Sequence, residues 1–360
     1  MTRPILIFSD PHYHDFSQFS TINANGLNSR LADTLRATVE AYKSANALGA
    51  YTAICCGDIF HVRGKVKPSV LNPTMQTFRN LHDRLAFRTH AISGNHDLET
   101  DKSSDLNSAI TSLRSIEGFA VHSENICHTM LDEFSVQVTF IPWEPDLKKL
   151  RALIKAGPRS TDKPTALVIH APMNGVIKGL PDHGLTVDDF KDCGFDKVFI
   201  GHYHNHKSFK VGKTEVISVG ALTHQNFGDV EHRAGYLLWY PDTGKVEQFA
   251  TKAPRFIHVP ADRVQDLVPG AAADNYIKVV DGEFENEAEI QAIRDELILK
   301  GAKAVVVEGI TKRPAVTRGT TTTSAAPTIH SILGDYVQRT YPGDEAALAE
   351  AMDILNEVYV

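Results

Sequence analysis

The sequence predicts an α/β protein with a layered core, followed by a smaller α+β unit and a pair of helices at the end of the chain. Two observations predict the core: short β-branched runs bounded by turn residues, and helical patterns that alternate with them. A third observation separates the smaller unit, because the pattern of strands and helices changes after about residue 250.

The predicted strands of the core are rich in apolar and β-branched residues and are bounded by turn residues, which is typical of buried strands. They are PILIF (4–8), YTAICC (51–56), RTHAIS (88–93), VQVTFI (136–141), TALVIH (165–170), KVFI (197–200) and TEVISVG (214–220). The clearest helix is SRLADTLRATVEAYKSANALG, in which Leu31, Leu35 and Val39 share one face. SVLNPTMQTFRNLHDRL and SSDLNSAITSLRSI are further predicted helices.

The boundaries follow from these patterns and from composition. Residues 1–250 form the predicted core domain. Residues 254–312 form the smaller unit, with strands at RFIHV, NYIKVVD and AKAVVVEGI and a helix at ENEAEIQAIRDELILKG. The polar, low-complexity stretch within 313–328 predicts a linker. Two amphipathic patterns in 329–360 predict a helix-turn-helix pair, in which Asp344 caps the second helix.

Composition limits the class of protein. The chain has 360 residues, a net charge of −7 and 42% hydrophobic residues, which is ordinary for a globular protein. No apolar run is long enough to span a membrane, and the four cysteines form no CxxC motif or disulfide framework. We therefore expect a cytoplasmic protein with reduced cysteines. The negative charge argues against a nucleic-acid binder that uses its whole surface, although a local basic track is compatible with it.

Polar side chains follow five of the predicted strands. They are Asp10 and His12; Asp58 and His61; Asn95, His96 and Asp97; His170; and His202 and His204. Ligands of open α/β sheets bind at the carboxyl ends of strands, so these side chains are expected to converge. We also expect residues i and i+2 of extended backbone to point the same way in the Asp10–His12 and His202–His204 pairs. Mixed carboxylate, amide and imidazole ligands favour Mn²⁺, Fe²⁺ or Zn²⁺ over Mg²⁺ or Ca²⁺.

The ordered motifs DxH, GDxxH, GNHD, a lone histidine and GHxH resemble those of the calcineurin-like metallophosphoesterases over residues 4–240. The resemblance implies a two-layered β-sandwich flanked by helices, with two divalent metal ions for in-line phosphoryl displacement. We expect Mn²⁺, with Fe²⁺, Zn²⁺ and Mg²⁺ as alternatives. The resemblance implies a first metal held by Asp10, His12, Asp58 and His204, and a second held by Asp58, Asn95, His170 and His202.

The resemblance also assigns catalytic roles at the same loops. His96 would stabilise the transition state or protonate the leaving oxygen, and Asp97 would orient His96. His61 matches the position that lies near the substrate phosphate in the nuclease branch of the family. A scaffold that has lost its metals is the alternative, and the complete ligand set argues against it.

Two segments resemble the double-strand-break repair nucleases of the SbcD type: GDIFHVRGKVKPS and ISVGALTHQNFGDVEHRAGYLLW. This resemblance implies a DNA exonuclease and endonuclease, with 254–312 as a capping domain. It implies that 329–360 binds an SMC-like coiled-coil ATPase, and that segments containing Leu71 and Met75, and Ile110 and Leu113, form a homodimer. Core helices are the alternative for those segments. The compact length is similar to that of phage members, which would place the protein in the host cytoplasm.

Basic residues flank the predicted site. Arg63, Lys65 and Lys67 follow GDIFH, and Lys207, Lys210 and Lys213 follow GHYH. They are placed to contact DNA phosphates, with a solvated charge run as the alternative. Two other functions stay open at this point: a small-substrate phosphodiesterase or phosphatase, and a mainly architectural subunit that binds DNA ends. The Val219-Gly220-Ala221 turn departs from the usual pattern of the nuclease branch and puts substrate details in doubt.

Overall fold

The structure is a computed structural model that describes residues 3–101, 104–159, 162–311, 329–341 and 343–358. Its strands are β1 (Ile5–Phe8), β2 (Thr52–Cys55), β3 (Arg88–Ile92), β4 (Phe119–His122), β5 (Cys127–Leu131), β6 (Val136–Ile141), β7 (Thr165–His170), β8 (Lys197–Gly201), β9 (Lys207–Val211), β10 (Thr214–Ser218), β11 (Gly235–Tyr240), β12 (Lys245–Ala250), β13 (Phe256–Pro260), β14 (Tyr276–Phe284) and β15 (Ala304–Thr311). Its α-helices are α1 (Ser29–Ala47), α2 (Pro68–Leu85), α3 (Leu147–Lys155), α4 (Pro269–Ala272), α5 (Glu287–Leu299), α6 (Ile329–Thr340) and α7 (Glu345–Val358).

Two six-stranded sheets form the core. Their strand orders are β12-β11-β1-β2-β3-β4 and β5-β6-β7-β8-β10-β9. Side chains of β1 alternate, so that Ile5 and Ile7 join the apolar cluster between the sheets, whereas Leu6 and Phe8 pack with α1 and α2. Helix α3 covers the outer face of the second sheet through Leu150 and Ile154. The prediction of a two-layered β-sandwich flanked by helices is confirmed.

The predicted helix SSDLNSAITSLRSI is a short 3₁₀ helix at Ala109–Ser115. The hydroxyl groups of Ser112 and Ser115 donate to the carbonyls three residues earlier, which competes with regular α-helical hydrogen bonding. Ile110 and Leu113 are fully buried beneath the first sheet. These two side chains belong to the core and are not available for the predicted dimer contact.

Several strands carry no clear apolar run in the sequence. Strands β5, β9 and β12 lie at sheet edges and are only partly buried, because one side of an edge strand faces solvent. Strand β9 includes Lys207 and Lys210 of the predicted DNA-binding set, and Lys213 lies in the turn after it. Since side chains alternate along a strand, Lys207 and Lys210 project to opposite faces and cannot form one basic track.

The smaller unit, which we call the cap, contains a sheet of order β13-β14-β15 in which all pairs are parallel. Helix α5 connects β14 to β15 and covers the sheet through Ile290 and Leu297. Parallel strands need such a crossover connection. The cap and the β-sandwich belong to one compact unit.

Arg30 joins the cap to the β-sandwich. Its guanidinium carbon lies 4.0 Å from the ring centre of Phe16, 5.2 Å from that of Phe256 and 5.8 Å from that of Tyr276. Its Nη2 donates to the carbonyl of Gln225. Phe256 and Tyr276 are cap residues, so this buried cation links the two parts through cation–π contacts and a hydrogen bond.

Replacing Arg30 with methionine is expected to lower the free energy of unfolding by about 2–4 kcal/mol, because a desolvated cation–π contact and a charged hydrogen bond are both lost. Urea unfolding measures this change. Arg36→Met on the same helix is the control, since the Arg36 side chain is 56% exposed and, among the described residues, forms an ion pair only with Asp33 of its own helix, and we expect a loss of less than about 1 kcal/mol there. Equal effects of the two substitutions would contradict the assigned role of Arg30.

The terminal helices α6 and α7 form a separate compact unit. The Asp344 carboxylate accepts hydrogen bonds from the amides of Ala346 and Ala347, which confirms that Asp344 caps the second helix. Ile332 and Tyr336 expose more than half of their surface on α6. The predicted linker 313–328 and Pro342 lie outside the described residues. In the part of the chain that the structure describes, no helix is long and apolar enough to cross a membrane.

A pair of histidines lies between the two sheets. His90 Nδ1 is 3.0 Å from His122 Nε2, and both rings stack on Phe140. Burial lowers the pKa of His90 to about 4 and that of His122 to about 3. Both rings are therefore neutral in the folded protein at neutral pH.

Acid is expected to destabilise the fold through this pair. The unfolded chain binds protons at these rings near pH 6.5, whereas the folded chain binds them only near pH 4 and below. Stability is therefore fully present above about pH 6.5 and falls as the pH drops toward 4. His122→Phe should make this fall shallower by up to about 1.4 kcal/mol per pH unit, measured by urea unfolding from pH 7 to pH 5. The exposed His183→Gln is the control, and an unchanged slope in His122→Phe would contradict the assignment.

Candidate metal centre

The predicted ligands lie on loops at the carboxyl ends of adjacent strands. Strands β1, β2 and β3 are neighbours in the first sheet and are followed by Asp10, Asp58 and Asn95. Strands β7 and β8 are neighbours in the second sheet, where His170 ends β7 and His202 follows β8. The two sheets therefore contribute side chains to one place, as the strand-end pattern predicts.

Four of these residues have backbone conformations that L-amino acids rarely adopt. The φ angles are +50° at Asp10, +46° at His12, +53° at Asp58 and +109° at His202. The expectation that extended backbone aligns Asp10 with His12 and His202 with His204 is therefore wrong, although the side chains do converge. Such strained backbone persists where surrounding structure holds it, and it is common at functional sites.

The first cluster consists of Asp10, His12 and His204, with Asp58 beside it. His12 Nε2 lies 3.8 Å from Asp10 Oδ1, 3.6 Å from Asp58 Oδ2 and 3.3 Å from His204 Nε2. The possible ligand atoms of the three residues all lie within 4.8 Å of one another. This is the set that the motifs assign to the first metal.

The second cluster consists of Asp58, Asn95, His170 and His202. His170 Nε2 lies 3.4 Å from Asp58 Oδ2 and 3.1 Å from Asn95 Oδ1. His202 Nδ1 lies 3.0 Å from the same Asn95 oxygen. Asp58 Oδ2 thus faces both clusters, which is the position a bridging carboxylate must take.

The donor atoms fit divalent cations. Asp10 Oδ1 is buried and has no hydrogen-bond partner among the described residues, an arrangement that costs free energy unless a cation lies there. Burial lowers the pKa of His12 well below its usual range and that of His202 to about 3, so both rings offer lone pairs. At His170, burial would lower the pKa, but the negative charges of Asp58 and Asp10 and the hydrogen bonds to Asp58 and the Cys56 carbonyl together raise the pKa to about 9. A cation near His170 therefore competes with a proton.

Close approach of two loops makes glycine necessary at position 94. A Cβ atom on Gly94 would lie 2.1 Å from Asp58 Oδ1 and 2.5 Å from the Asp58 backbone nitrogen. The loop after β3 therefore reaches the loop after β2 only if residue 94 has no side chain. This contact brings Asn95 next to Asp58.

The sequence profile of the calcineurin-like phosphoesterase superfamily domain matches residues 4–240, which include every residue of the two clusters. The chain belongs to the calcineurin-like phosphoesterase superfamily. Phosphoesterases of this superfamily use divalent metals, and the described Asp and His clusters of this phosphoesterase are of the kind that could bind them. The identity of the metal remains a prediction.

Solved structures with similar folds include phosphoesterases. The protein TT1561 of Thermus thermophilus is 17% identical, with a TM-score of 0.42, and the match covers 69% of this chain and 99% of that one. A novel archaeal phosphodiesterase is 16% identical, with a TM-score of 0.38 and the same coverage. A dimetal phosphatase from Danio rerio is 11% identical, with a TM-score of 0.41, and the match covers 66% and 92%. No curated protein matches this chain.

His96 lies beside the two clusters of candidate metal ligands in the phosphoesterase. Its backbone amide donates to Asp58 Oδ1 at 2.8 Å, and its ring Nδ1 donates to the carbonyl of His61 at 2.5 Å. His12, His61 and His96 also form a third group of nitrogens within 4.8 Å of one another.

Asp97 is fully buried and binds backbone. Its carboxylate accepts hydrogen bonds from the amides of Ile59, Phe60 and Gly94 at 2.8–3.3 Å. It therefore ties the loop that carries Asp58 to the loop that carries His96. This differs from the prediction that Asp97 orients the His96 ring, because the His61 carbonyl does so.

His61 stacks on His96, with ring centres 5.4 Å apart and planes at 19°. Its Nδ1 lies 3.4 Å from His12 Nδ1, on the side of His12 that faces away from Asp58 and His204. Burial lowers the pKa of His61 to about 4, so the ring is neutral near pH 7. A neutral His61 can accept a hydrogen bond from His12 and so fix which nitrogen of His12 faces the metal site.

Asp229 supports the first cluster, although no motif in the sequence assigned it a role. Its Oδ1 accepts a hydrogen bond from His204 Nδ1 at 2.9 Å, and its Oδ2 accepts from the amides of Gln225 and Asn226. This bond directs His204 Nε2 toward the first cluster. The FGD sequence places a carboxylate here, but no spacing rule in one sequence connects position 229 with position 204.

Asp229→Asn is expected to weaken metal binding by about 10- to 100-fold, because a carboxylate that holds a ligand histidine also makes it a better donor. Mn²⁺ affinity measured by calorimetry on metal-free protein tests this effect. Asp242→Asn, in the turn between β11 and β12, removes an exposed carboxylate and should leave affinity unchanged. Equal affinities in wild type and Asp229→Asn would show that His204 needs no such support.

The six predicted DNA-contacting cations are all exposed. Arg63 Nη1 lies 3.4 Å from Asp101, and Lys67 Nζ lies 2.8 Å from Asp15. Lys207 Nζ donates to the carbonyl of Gly175 at 2.6 Å. Exposed ion pairs are weak, so a phosphate group can displace them.

Proposed function

We propose that this phosphoesterase is a Mn²⁺-dependent DNA exonuclease and endonuclease, and the nuclease subunit of an SbcCD-like DNA repair and recombination complex. The observation that carries the proposal is the position of His61. It is the histidine of the GDIFH motif, and it stacks on His96 at the edge of the metal clusters. A second imidazole beside His96 offers a further contact for the phosphate of a diester substrate.

The residues have separate roles in the proposed reaction. Two bound divalent ions would activate the attacking water and neutralise charge on the phosphoryl oxygens. His96 protonates the leaving oxygen, and the hydrogen bond that its backbone amide donates to Asp58 Oδ1 fixes its distance from the ligands. Asp97 holds the two loops together, and Asp229 orients His204. The reaction is therefore phosphodiester hydrolysis with the leaving group on the His96 side.

Cations near the site support a DNA substrate. Arg63, Lys65 and Lys67 follow His61 directly, so a strand whose phosphate lies at His61 would pass beside them. The lysines of β9 are weaker candidates, because Lys207 and Lys210 project to opposite faces. We therefore assign phosphate contacts first to the segment 63–67.

The terminal helix pair supports the partner proposal. Ile332 and Tyr336 form an exposed apolar stripe on α6, which an SMC-like coiled-coil ATPase could cover. Deletion of 317–360 tests this dock by co-purification with a co-expressed ATPase subunit. Retention of the ATPase by the truncated chain would contradict the dock. A homodimer remains part of the proposal only through α2, where Leu71 and Met75 are half-buried.

Digestion of end-labelled linear duplex DNA tests the nuclease proposal. We expect degradation with Mn²⁺, less with Mg²⁺ and none with EDTA. A generic nitrophenyl phosphodiester serves as the control for an intact metal centre. Hydrolysis of that ester without cleavage of duplex or single-stranded DNA, even with the ATPase subunit present, would favour a small-substrate phosphodiesterase or phosphatase.

A further inference from the structure

A cavity of about 580 Å³ lies on one side of the two clusters of candidate metal ligands, between the loop after β8 and the cap. His202 and His204 form part of its wall. The wall also includes Lys178, Phe227, Glu231, His232 and His258. Cavities that bind one small ligand usually measure about 300–1,000 Å³, so this one has room for a single ligand beside the metals.

One wall of the cavity is aromatic. The rings of Phe227 and His258 are nearly parallel, at 15°, with centres 5.7 Å apart. Phe227 also packs edge-on against Phe256 and Phe19, at 4.9 Å and 5.8 Å, which fixes its ring. A ring held in this way offers a face on which a nucleobase can stack.

The same short turn serves the cavity and the metal site. Phe227 and Asp229 belong to one 3₁₀ turn, capped by the Asn226 side chain, which accepts from the Gly228 amide. Asp229 orients His204, so the aromatic wall is held at a fixed distance from the first cluster. His258 comes from β13 of the cap, so the cap completes the cavity.

The polar groups of the cavity are mixed in character. Lys178 and Glu231 are both exposed, and His232 is half-buried. A surface that tracks several phosphates would be uniformly basic, whereas donors and acceptors together suit the edges of a base and the hydroxyl of a sugar. The phosphate of such a ligand would lie at the metal clusters next to His202 and His204.

We propose that this cavity binds the one nucleoside that is joined to the scissile phosphate, with its base on the Phe227–His258 wall. This inference rests on the proposed function, because it takes a nucleic-acid phosphodiester as the substrate. It implies that the reacting nucleotide leaves its base pair, since a 580 Å³ cavity cannot hold a duplex end.

Small chromogenic diesters test the cavity without DNA. Thymidine 5′-(p-nitrophenyl phosphate) and thymidine 3′-(p-nitrophenyl phosphate) are compared with bis(p-nitrophenyl) phosphate. One of the two thymidine esters should have a kcat/KM at least about tenfold above that of the bis ester, since stacking of one base contributes on that scale. His258→Ala and Phe227→Leu should lower the ratio of the two kcat/KM values, that of the preferred thymidine ester over that of the bis ester, to about one. His128→Ala, on β5, is the control.

A binding measurement covers the case in which a variant folds poorly. Thymidine monophosphate should bind wild-type protein at least about tenfold more tightly than inorganic phosphate, and His258→Ala should lose that difference. Equal hydrolysis of all three esters together with equal binding of both ligands would overturn the proposal. Digestion of duplex DNA by a protein that hydrolyses the thymidine esters no faster than the bis ester would support the nuclease and reject a nucleoside site in the cavity. Faster hydrolysis of a thymidine ester than of the bis ester, without digestion of DNA, would support the nucleoside site and reject the nuclease.

Discussion

Asp58→Asn is expected to reduce hydrolysis of a generic nitrophenyl phosphodiester at least about a thousandfold. Asp58 Oδ2 lies 3.6 Å from His12 Nε2 and 3.4 Å from His170 Nε2, so one oxygen faces both clusters. Asp58 Oδ1 accepts a hydrogen bond from the backbone amide of His96. An asparagine has the same shape but cannot offer a negatively charged oxygen to both metals. It can accept the hydrogen bond from the His96 amide only if its single side-chain oxygen takes the place of Oδ1.

The expected loss is measured as kcat/KM over a range of Mn²⁺ concentrations, because weak metal binding alone could be overcome by excess Mn²⁺. Asp242→Asn removes one exposed negative charge and is the matched control. If Asp58→Asn stayed within tenfold of wild type at any Mn²⁺ concentration, Asp58 would not be the shared ligand.

His96→Leu is expected to reduce DNA hydrolysis by about 10²- to 10⁴-fold, which is the range for loss of a general acid. The loss should be much smaller for a nitrophenyl ester, because nitrophenolate leaves without needing a proton. Metal affinity should not change, since the two main clusters do not include His96. This pattern separates a catalytic histidine from a metal ligand.

The comparison between DNA and the nitrophenyl ester shows whether His96 acts as a general acid. Equal losses for DNA and for the nitrophenyl ester would contradict general-acid catalysis by His96. A loss of Mn²⁺ affinity in His96→Leu would instead make the group of His12, His61 and His96 a metal site. His14→Leu, at a neighbouring histidine outside all three groups, is the control for a change of local packing.

Much of the site could be predicted from the sequence because each ligand follows a buried strand. The apolar runs fix which residues end the strands, and parallel neighbours bring those ends together. Asp10, Asp58 and His170 could therefore be assigned to one place from the strand pattern alone. The order of the motifs added the division into two clusters.

The left-handed backbone of Asp10 and His12 could not be predicted, because Asp and His adopt this conformation at only a minority of positions. The conformation is imposed by hydrogen bonds between loops: the His12 amide donates to the Asp58 carbonyl and the Asp10 amide donates to the Gly57 carbonyl. Because these contacts join distant parts of the chain, the residues around positions 10 and 12 do not predict them. The roles of Asp97 and Asp229 escaped prediction for the same reason.

The secondary structure that escaped prediction lies mostly at sheet edges. Strands β5, β9 and β12 have one solvent-facing side and a mixed pattern of polar residues, whereas central strands such as β6 and β7 are buried throughout. The 3₁₀ helix at Ala109–Ser115 has the apolar spacing of a helix, but its serines bond to the local backbone.

Titration of metal-free protein with Mn²⁺ tests directly whether the chain holds two metal ions, with the number of bound ions measured by calorimetry and elemental analysis. We expect two ions per chain, a strong reduction at both positions in Asp58→Asn, and loss at one position in His202→Ala, whose ring Nδ1 lies 3.0 Å from Asn95 Oδ1 of the second cluster. A chain that binds no Mn²⁺, or a single ion that is insensitive to Asp58, would contradict a two-metal phosphoesterase centre at this place.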